Sequence, residues 1–504
     1  MKLHSFVAAI FYLCAPIMLP AQNEVCDWET AFRIKQEVAK HSQIDSLIYQ
    51  IIDATGPRLT GSDRMEAGYE AALAQMKAFG LENVRKEFAR DWHRGGWDVT
   101  KAYCAMTVPY YMHIYPLPVG WSGGTDGLKK GDVMIVTARN FDELHSYAGK
   151  VKGKIVLLGS TYRYKMNDNP YPLRIPDEEL QKLEDNYPIT AFGAPRKNRT
   201  RPPFAYDDIV DFLQKEGAIA VLNNSGDFNV PRTTHYDFKQ GNKPSLCQLN
   251  ITSEAHGLMQ RMIEHGEKVS MEIEVSVKYT PGRKIYNIIG EIPGTDPELK
   301  DQIVMLGAHL DSHQGGTGAT DNGGGCVTML EAMRTLKALG IQPRRTIRVA
   351  LWGGEEMGLH GSSGYVEQHV YDPKTDTRKE EYDQISVYFN ADYGPGRFRG
   401  IYTQDNLMAG PIFRAWMEPY HDMGLTTVSN RSMGSTDHMP FDDAGIPGFQ
   451  FIQDYIEWTR GAHQAMDYSD RLVVADLKHN AAVMAWFVYN AAMRDEMMPR
   501  KPKP

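Results

Sequence analysis

The chain has 504 residues, 42% of them hydrophobic and 23% charged, with a formal net charge of −8. That length carries about two to three domains and a large core, and the composition is that of an ordinary soluble globular protein. The acidic balance excludes nucleic acid as the main partner, since such a partner selects a basic face.

Residues 1–21 read as a secretory signal. Lys2 gives a positive start, residues 6–18 are mostly apolar, and Leu19-Pro20-Ala21 precedes Gln22, so cleavage is predicted after Ala21. The competing reading is a membrane anchor, but the apolar run is shorter than the ~20 residues a spanning helix needs. The mature chain is therefore expected to be periplasmic or extracellular, with no membrane insertion. Cys14 leaves with the leader, and Cys26, Cys104, Cys247 and Cys326 remain. Export permits disulfides, but spacing alone does not pair these four. Cys326 reads as a buried small hydrophobe.

Residues 24–87 read as helical. Ile44, Leu47, Ile51 and Ile52 share one face, and Met65, Tyr69, Ala72, Leu73 and Met76 form another stripe, with the turn-rich GPRLTGS between them. Residues 91–280 have a different texture. Short alternating segments (GDVMIVTA, VKGKIVLLG, GAIAVLNNSG, VSMEIEVSVKY) separated by Gly and Pro predict a β-rich module with a few helices, one at 207–215. Its histidines, His93, His113, His145 and His235, are scattered and read as surface or core residues. The basic stretch 195–203, PRKNRTRPP, reads as a solvated loop.

Residues 303–326, IVMLGAHLDSHQGGTGATDNGGGC, carry the first chemistry. An apolar strand delivers His309, Asp311 follows, and Asp321 comes after a glycine-rich loop before an apolar helix at 327–339. Open α/β sheets place their chemistry at such strand ends. A second strand, RTIRVALW, ends in Gly353-Gly354 and presents Glu355 and Glu356; a third, ISVYFN, ends at Asp392. His463 in RGAHQAMD is a fourth donor. Imidazole with carboxylate suits zinc, and two ions close together need a shared carboxylate, further donors and a base held off the metal. The alternation of strands and helices from 283 onward predicts an α/β fold with a mostly parallel central sheet covered by helices on both faces.

AHLDS, GATDNGGG, WGGEEMGLHGS, NAD, GSTDHMPF with GIPG, and AHQAMD together resemble the successive motifs of the di-zinc exopeptidases of metallopeptidase family twenty-eight, most closely its carboxypeptidase Q branch. The match is strong over 284–472 and moderate over 46–87. The resemblance implies a catalytic domain split between 22–95 and 282–499, a protease-associated-like domain inserted at 96–281, and a disordered tail at 500–504. It implies two zinc ions per chain bridged by Asp321, one also held by His309 and Asp392, the other by Glu356 and His463. Glu355 would be no ligand but the catalytic general base beside the water, whose pKa zinc lowers to roughly 7. Asp311 and Asp467 would orient the ligand imidazoles. Asp437, His438 and Tyr455 would line the substrate pocket. Ala462 stands where the family commonly has a bulky residue, which leaves Tyr455, His438 or a backbone amide to stabilise the oxyanion. The implied activity is hydrolysis of dipeptides and short peptides, as an aminopeptidase. The alternatives are a carboxypeptidase or dipeptidase, a single-zinc glutaminyl cyclase, and a non-catalytic binding protein on the same scaffold.

Overall fold

The computed structural model describes residues 24–159, 174–185, 204–225 and 230–501. The leader, the basic stretch 195–203 and residues 502–504 lie outside the described residues.

One eight-stranded sheet is built from Glu82–Asp91, Lys284–Ile292, Thr346–Trp352, Ile303–His309, Ile385–Asn390, Gly448–Gln453, Phe398–Tyr402 and Thr427–Ser429, in that spatial order. Its four middle strands run parallel to one another. They are buried on both faces, which explains why they read as continuous apolar runs. Alternation along each strand sends Val304 and Leu306 into one core, with Val327, Leu330 and Phe487 of the helices Gly324–Ala338 and Val474–Met493. Met305 faces the other way, with Trp352, Tyr365, Tyr388 and Phe441 under the helices His360–His369 and His438–Asp443. Antiparallel pairs flank the parallel centre.

The helical reading of 24–87 fails at its end. The helix Asp63–Ala78 stops before Gly80, which takes a left-handed φ of 71°. The following residues, Glu82–Asp91, form a strand paired antiparallel with Lys284–Ile292. Its charged, partly exposed side chains are those of an edge strand, and they hid the alternation that marks a core strand.

All strands of the second eight-stranded sheet fall between Gly96 and Thr280. It has its own core, around Cys104, Leu157, Leu222, Leu249 and Met271. The predicted segments become the strands Lys129–Val136, Ile155–Leu158, Ala220–Asn224 and Ser270–Thr280, and the predicted helix is Tyr206–Lys215. Cys26, Cys104, Cys247 and Cys326 are all free thiols. Among the described residues no helix is long and apolar enough to cross a membrane. The expectation of disorder from residue 500 onward does not hold for its first two residues. The Arg500 guanidinium lies over the Tyr382 ring at 4.6 Å, and Lys501 pairs with Asp442 at 2.7 Å.

Candidate metal centre

Three neighbouring parallel strands, Thr346–Trp352, Ile303–His309 and Ile385–Asn390, end on the same side of the sheet. Strands lie about 4.8 Å apart, so residues just past these ends converge. Glu355 and Glu356 follow the first, His309 closes the second and Asp392 follows the third. Asp321 arrives from the turn Ala319–Gly323, which feeds the buried helix Gly324–Ala338. Gly325 permits this approach, because a Cβ there would stand 2.7 Å from the Ala391 carbonyl oxygen beside Asp392. His463 follows the short helix Trp458–Gly461 with a left-handed φ of 57°.

The donors form two groups joined at Asp321. His309 Nε2 lies 3.2 Å from Asp321 Oδ1 and 3.3 Å from Asp392 Oδ1. His463 Nε2 lies 3.1 Å from Asp321 Oδ2 and 3.1 Å from Glu356 Oε2. One Asp321 oxygen thus serves each histidine. Glu355 stands aside, with Oε2 3.9 Å from His309 Nε2. His313, which the sequence reading passed over, also faces the second group, 2.8 Å from Glu356 Oε2. The two groups differ in access. The His309 side chain is 1% exposed and that of His463 is 36% exposed.

Asp311 and Asp467 lie where they were expected but hold other partners. The His309 Nδ1–H donates to the Asp311 backbone carbonyl at 2.9 Å, while the Asp311 carboxylate is 3.6 Å away. A carbonyl can only accept, so Nδ1 carries a hydrogen, and Nε2 is the nitrogen turned toward the Asp321 and Asp392 carboxylates. The Asp311 carboxylate instead accepts from the Glu355 backbone N–H at 3.0 Å and the Thr60 hydroxyl at 2.7 Å. Asp467 accepts from the Thr320 N–H at 2.8 Å and the Asp321 N–H at 3.2 Å, so it fixes the bridging segment rather than the imidazole of His463. Spacing to the nearest histidine suggested otherwise, and only the tertiary fold brings these amides within reach.

Arg58 was also missed. It is fully buried, and its guanidinium donates to the carbonyls of Leu310 at 2.6 Å, Thr317 at 2.7 Å and Gly318 at 3.0 Å. It thereby holds both ends of the loop between His309 and Asp321. Its position in GPRLTGS, a turn-rich stretch that also holds Thr60, is the one signal that could have found it.

Of the pocket residues, Asp437 is buried beside the centre. Its Oδ1 accepts from the Ser362 hydroxyl at 2.5 Å, and burial pushes its carboxyl up to about 8. His438 is turned into the core, where its Nε2 donates to the Met433 carbonyl at 2.7 Å. It is a packed histidine and does not face the centre. Tyr455 is half-buried, hydrogen-bonded to Tyr402.

Burial pushes the Glu355 carboxyl well above its usual range, and Asp392 and Asp437 push the same way. Burial opposes the charge on His463, yet Glu356 and Asp321 lift it to about 11. Four carboxylates, those of Asp321, Glu355, Glu356 and Asp392, therefore converge on few positive groups. Asp321 Oδ2 and Glu356 Oε1 are buried and make no hydrogen bond. Converging buried carboxylates with unmet oxygens call for a cation, and the imidazole and carboxylate donors suit zinc.

Residues 287–488 match the model of peptidase family M28. Carboxypeptidase Q of Mus musculus is 28% identical over 490 residues, covering 95% of this chain and 93% of that one. Among solved structures, a peptidase M28 precursor from Shewanella amazonensis SB2B superposes with a TM-score of 0.66 at 23% identity, covering 94% of this chain and 99% of that one. A zinc aminopeptidase from Bacillus subtilis superposes with a TM-score of 0.54 at 20% identity, covering 92% and 96%. At these identities the two structures show a shared fold.

Proposed function

We propose that this chain, whose residues 287–488 match peptidase family M28, is a zinc-dependent exopeptidase that works with two zinc ions as an exported aminopeptidase on dipeptides and short peptides. The observation that supports this reading is Asp321, which presents one oxygen to His309 at 3.2 Å and the other to His463 at 3.1 Å, with Glu355 standing aside 3.9 Å from His309.

In this reading His309 and Asp392 would hold one ion, Glu356 and His463 the other, and Asp321 would serve both. Bound zinc polarises a peptide carbonyl and makes water a better nucleophile near neutral pH. The chain's own part is positional and acid–base. Asp311 pins the Glu355 backbone N–H, and so points the carboxylate along the centre. Glu355 takes the proton of the attacking water and returns it to the leaving amine. Its burial and the neighbouring Asp392 favour the proton-holding form between those two events.

Which end of the peptide is read depends on the spare charges nearby. A carboxypeptidase needs a guanidinium free to fork a terminal carboxylate. Arg397 is 3.2 Å from Asp476, Arg399 is 3.2 Å from Asp454, and Arg460 is 3.1 Å from Glu457. These arginines already face carboxylates, which favours recognition of the free amino group. A carboxypeptidase is the second reading, supported by the 28% identity to carboxypeptidase Q across 95% of the chain. Dipeptides blocked at one end separate the two. N-acetylation should nearly abolish cleavage while C-terminal amidation is tolerated. The opposite pattern would make the chain a carboxypeptidase.

A further inference from the structure

We infer that His313 is a positioning residue of the second zinc site, donating a hydrogen bond to the Glu356 carboxylate whose direction is set by His235 and Gln314. This rests on the two-zinc reading above. It starts from a difference in distances. The four contacts within the two donor groups span 3.1 to 3.3 Å. Donors about 2.0–2.1 Å from a shared tetrahedral ion stand about 3.3 Å from each other. The His313 Nε2 to Glu356 Oε2 distance is shorter, at 2.8 Å. That is the length of a direct hydrogen bond from an imidazole to a carboxylate, not of two ligands facing one ion.

The direction of the bond follows from a chain of partners. The Gln314 side-chain amide donates to the carbonyls of Pro118 at 3.2 Å and Thr234 at 3.0 Å. Both of its hydrogens are used, so its oxygen, 3.1 Å from His235 Nε2, accepts. His235 Nε2 therefore carries a hydrogen. The same nitrogen lies 3.0 Å from His313 Nδ1, so its one hydrogen is shared between the Gln314 oxygen and His313 Nδ1, which presents its lone pair. With a lone pair at Nδ1, His313 has its hydrogen on Nε2, 2.8 Å from Glu356 Oε2. Two carbonyls thus decide, through an amide and two imidazoles, which nitrogen of His313 faces the metal group.

His235 stands on the segment that joins the second sheet to the centre. Gly120 leaves room for its ring, since a Cβ there would come within 2.5 Å of His235 Cδ2. The Gly120 N–H donates to Thr234 and the Tyr236 N–H donates to Gly120, both at 2.9 Å. The Thr233 N–H donates to the His463 carbonyl, also at 2.9 Å. One segment therefore supports the ligand His463 through its backbone and the ligand Glu356 through His235 and His313.

The test measures zinc content, zinc affinity by chelator competition, and the number of imidazoles bound per zinc by X-ray absorption, on the full chain. The wild type should hold two ions with two imidazoles between them. His235→Leu removes the N–H that sets the His313 tautomer, and His313→Ala removes the donor. Each should weaken one of the two ions about 10- to 100-fold, as loss of a ligand's orienting partner does elsewhere, and leave the imidazole count unchanged. His235→Gln keeps an N–H toward His313 Nδ1 and should restore the affinity that His235→Leu loses, an outcome a mere packing role would not give. A third imidazole in the wild type that disappears in His313→Ala would make His313 a ligand and overturn the inference. So would a His235→Leu chain with wild-type affinity, or a His235→Gln chain as weak as His235→Leu. A wild type that saturates at one zinc would overturn the two-ion reading first, and this inference with it.

Discussion

Asp467→Asn separates the role seen in the structure from the one its spacing suggested. The carboxylate is buried and accepts from two backbone amides, Thr320 at 2.8 Å and Asp321 at 3.2 Å. Asparagine has nearly the same shape but only one acceptor oxygen. Its amide nitrogen would face one of the two N–H groups, so one bond is lost and a buried donor meets a donor. A hydrogen bond to a charged group is worth about 1.5–3 kcal/mol, which at about 1.4 kcal/mol per tenfold is about a 10- to 100-fold change in binding. The cost falls on the segment that aims Asp321. Since Asp321 presents one oxygen to each donor group, both zinc constants should weaken together in a chelator titration. A loss confined to one ion would mean that Asp467 serves His463 alone. Unchanged constants for both would refute the argument.

Two further perturbations probe other parts of the chain. Glu355→Gln should keep its zinc, because Glu355 stands outside both donor groups, and should lower kcat by at least ~10² if Glu355 moves the proton; near wild-type turnover would give that role to another group. His479 is buried, its Nε2 donates to the Phe398 carbonyl at 2.9 Å, and its Nδ1 has no partner, so burial pushes its pKa down to about 4. Because the folded value lies below the unfolded value of about 6.5, its contribution is present above pH ~6.5 and is lost as pH falls toward ~4, on the order of 3 kcal/mol in all. His479→Gln should therefore show a shallower fall of the urea midpoint between pH 6.5 and 5 than the wild type. A slope equal to that of the wild type would count against a neutral buried His479.

The converging donor residues were legible because chemistry at parallel-strand ends leaves a local mark. An apolar run, a short stop and then His309, Glu355-Glu356 or Asp392 can be read without knowing what touches what. His463 and Asp321 lie outside strands and came through their motifs. What stayed hidden depends on partners distant in sequence. His313 sits in plain view four residues after His309, but its meaning comes from His235, 78 residues earlier. Arg58 was hidden because a fully buried arginine breaks the usual link between charge and surface. The edge strand Glu82–Asp91 was hidden because an edge exposed to water need not alternate.

The unequal burial of the two donor groups has a kinetic consequence. An ion among His309, Asp321 and Asp392 would be enclosed by side chains no more than 9% exposed, whereas one at Glu356 and His463 would be reached past an imidazole 36% exposed. If both groups hold zinc, exchange with solvent should therefore proceed in sequence, the outer ion leaving and returning while the inner one stays. A brief chelator pulse followed by a different divalent metal would yield a heterobimetallic protein of defined order, in which each ion could be followed by its own spectroscopic signature.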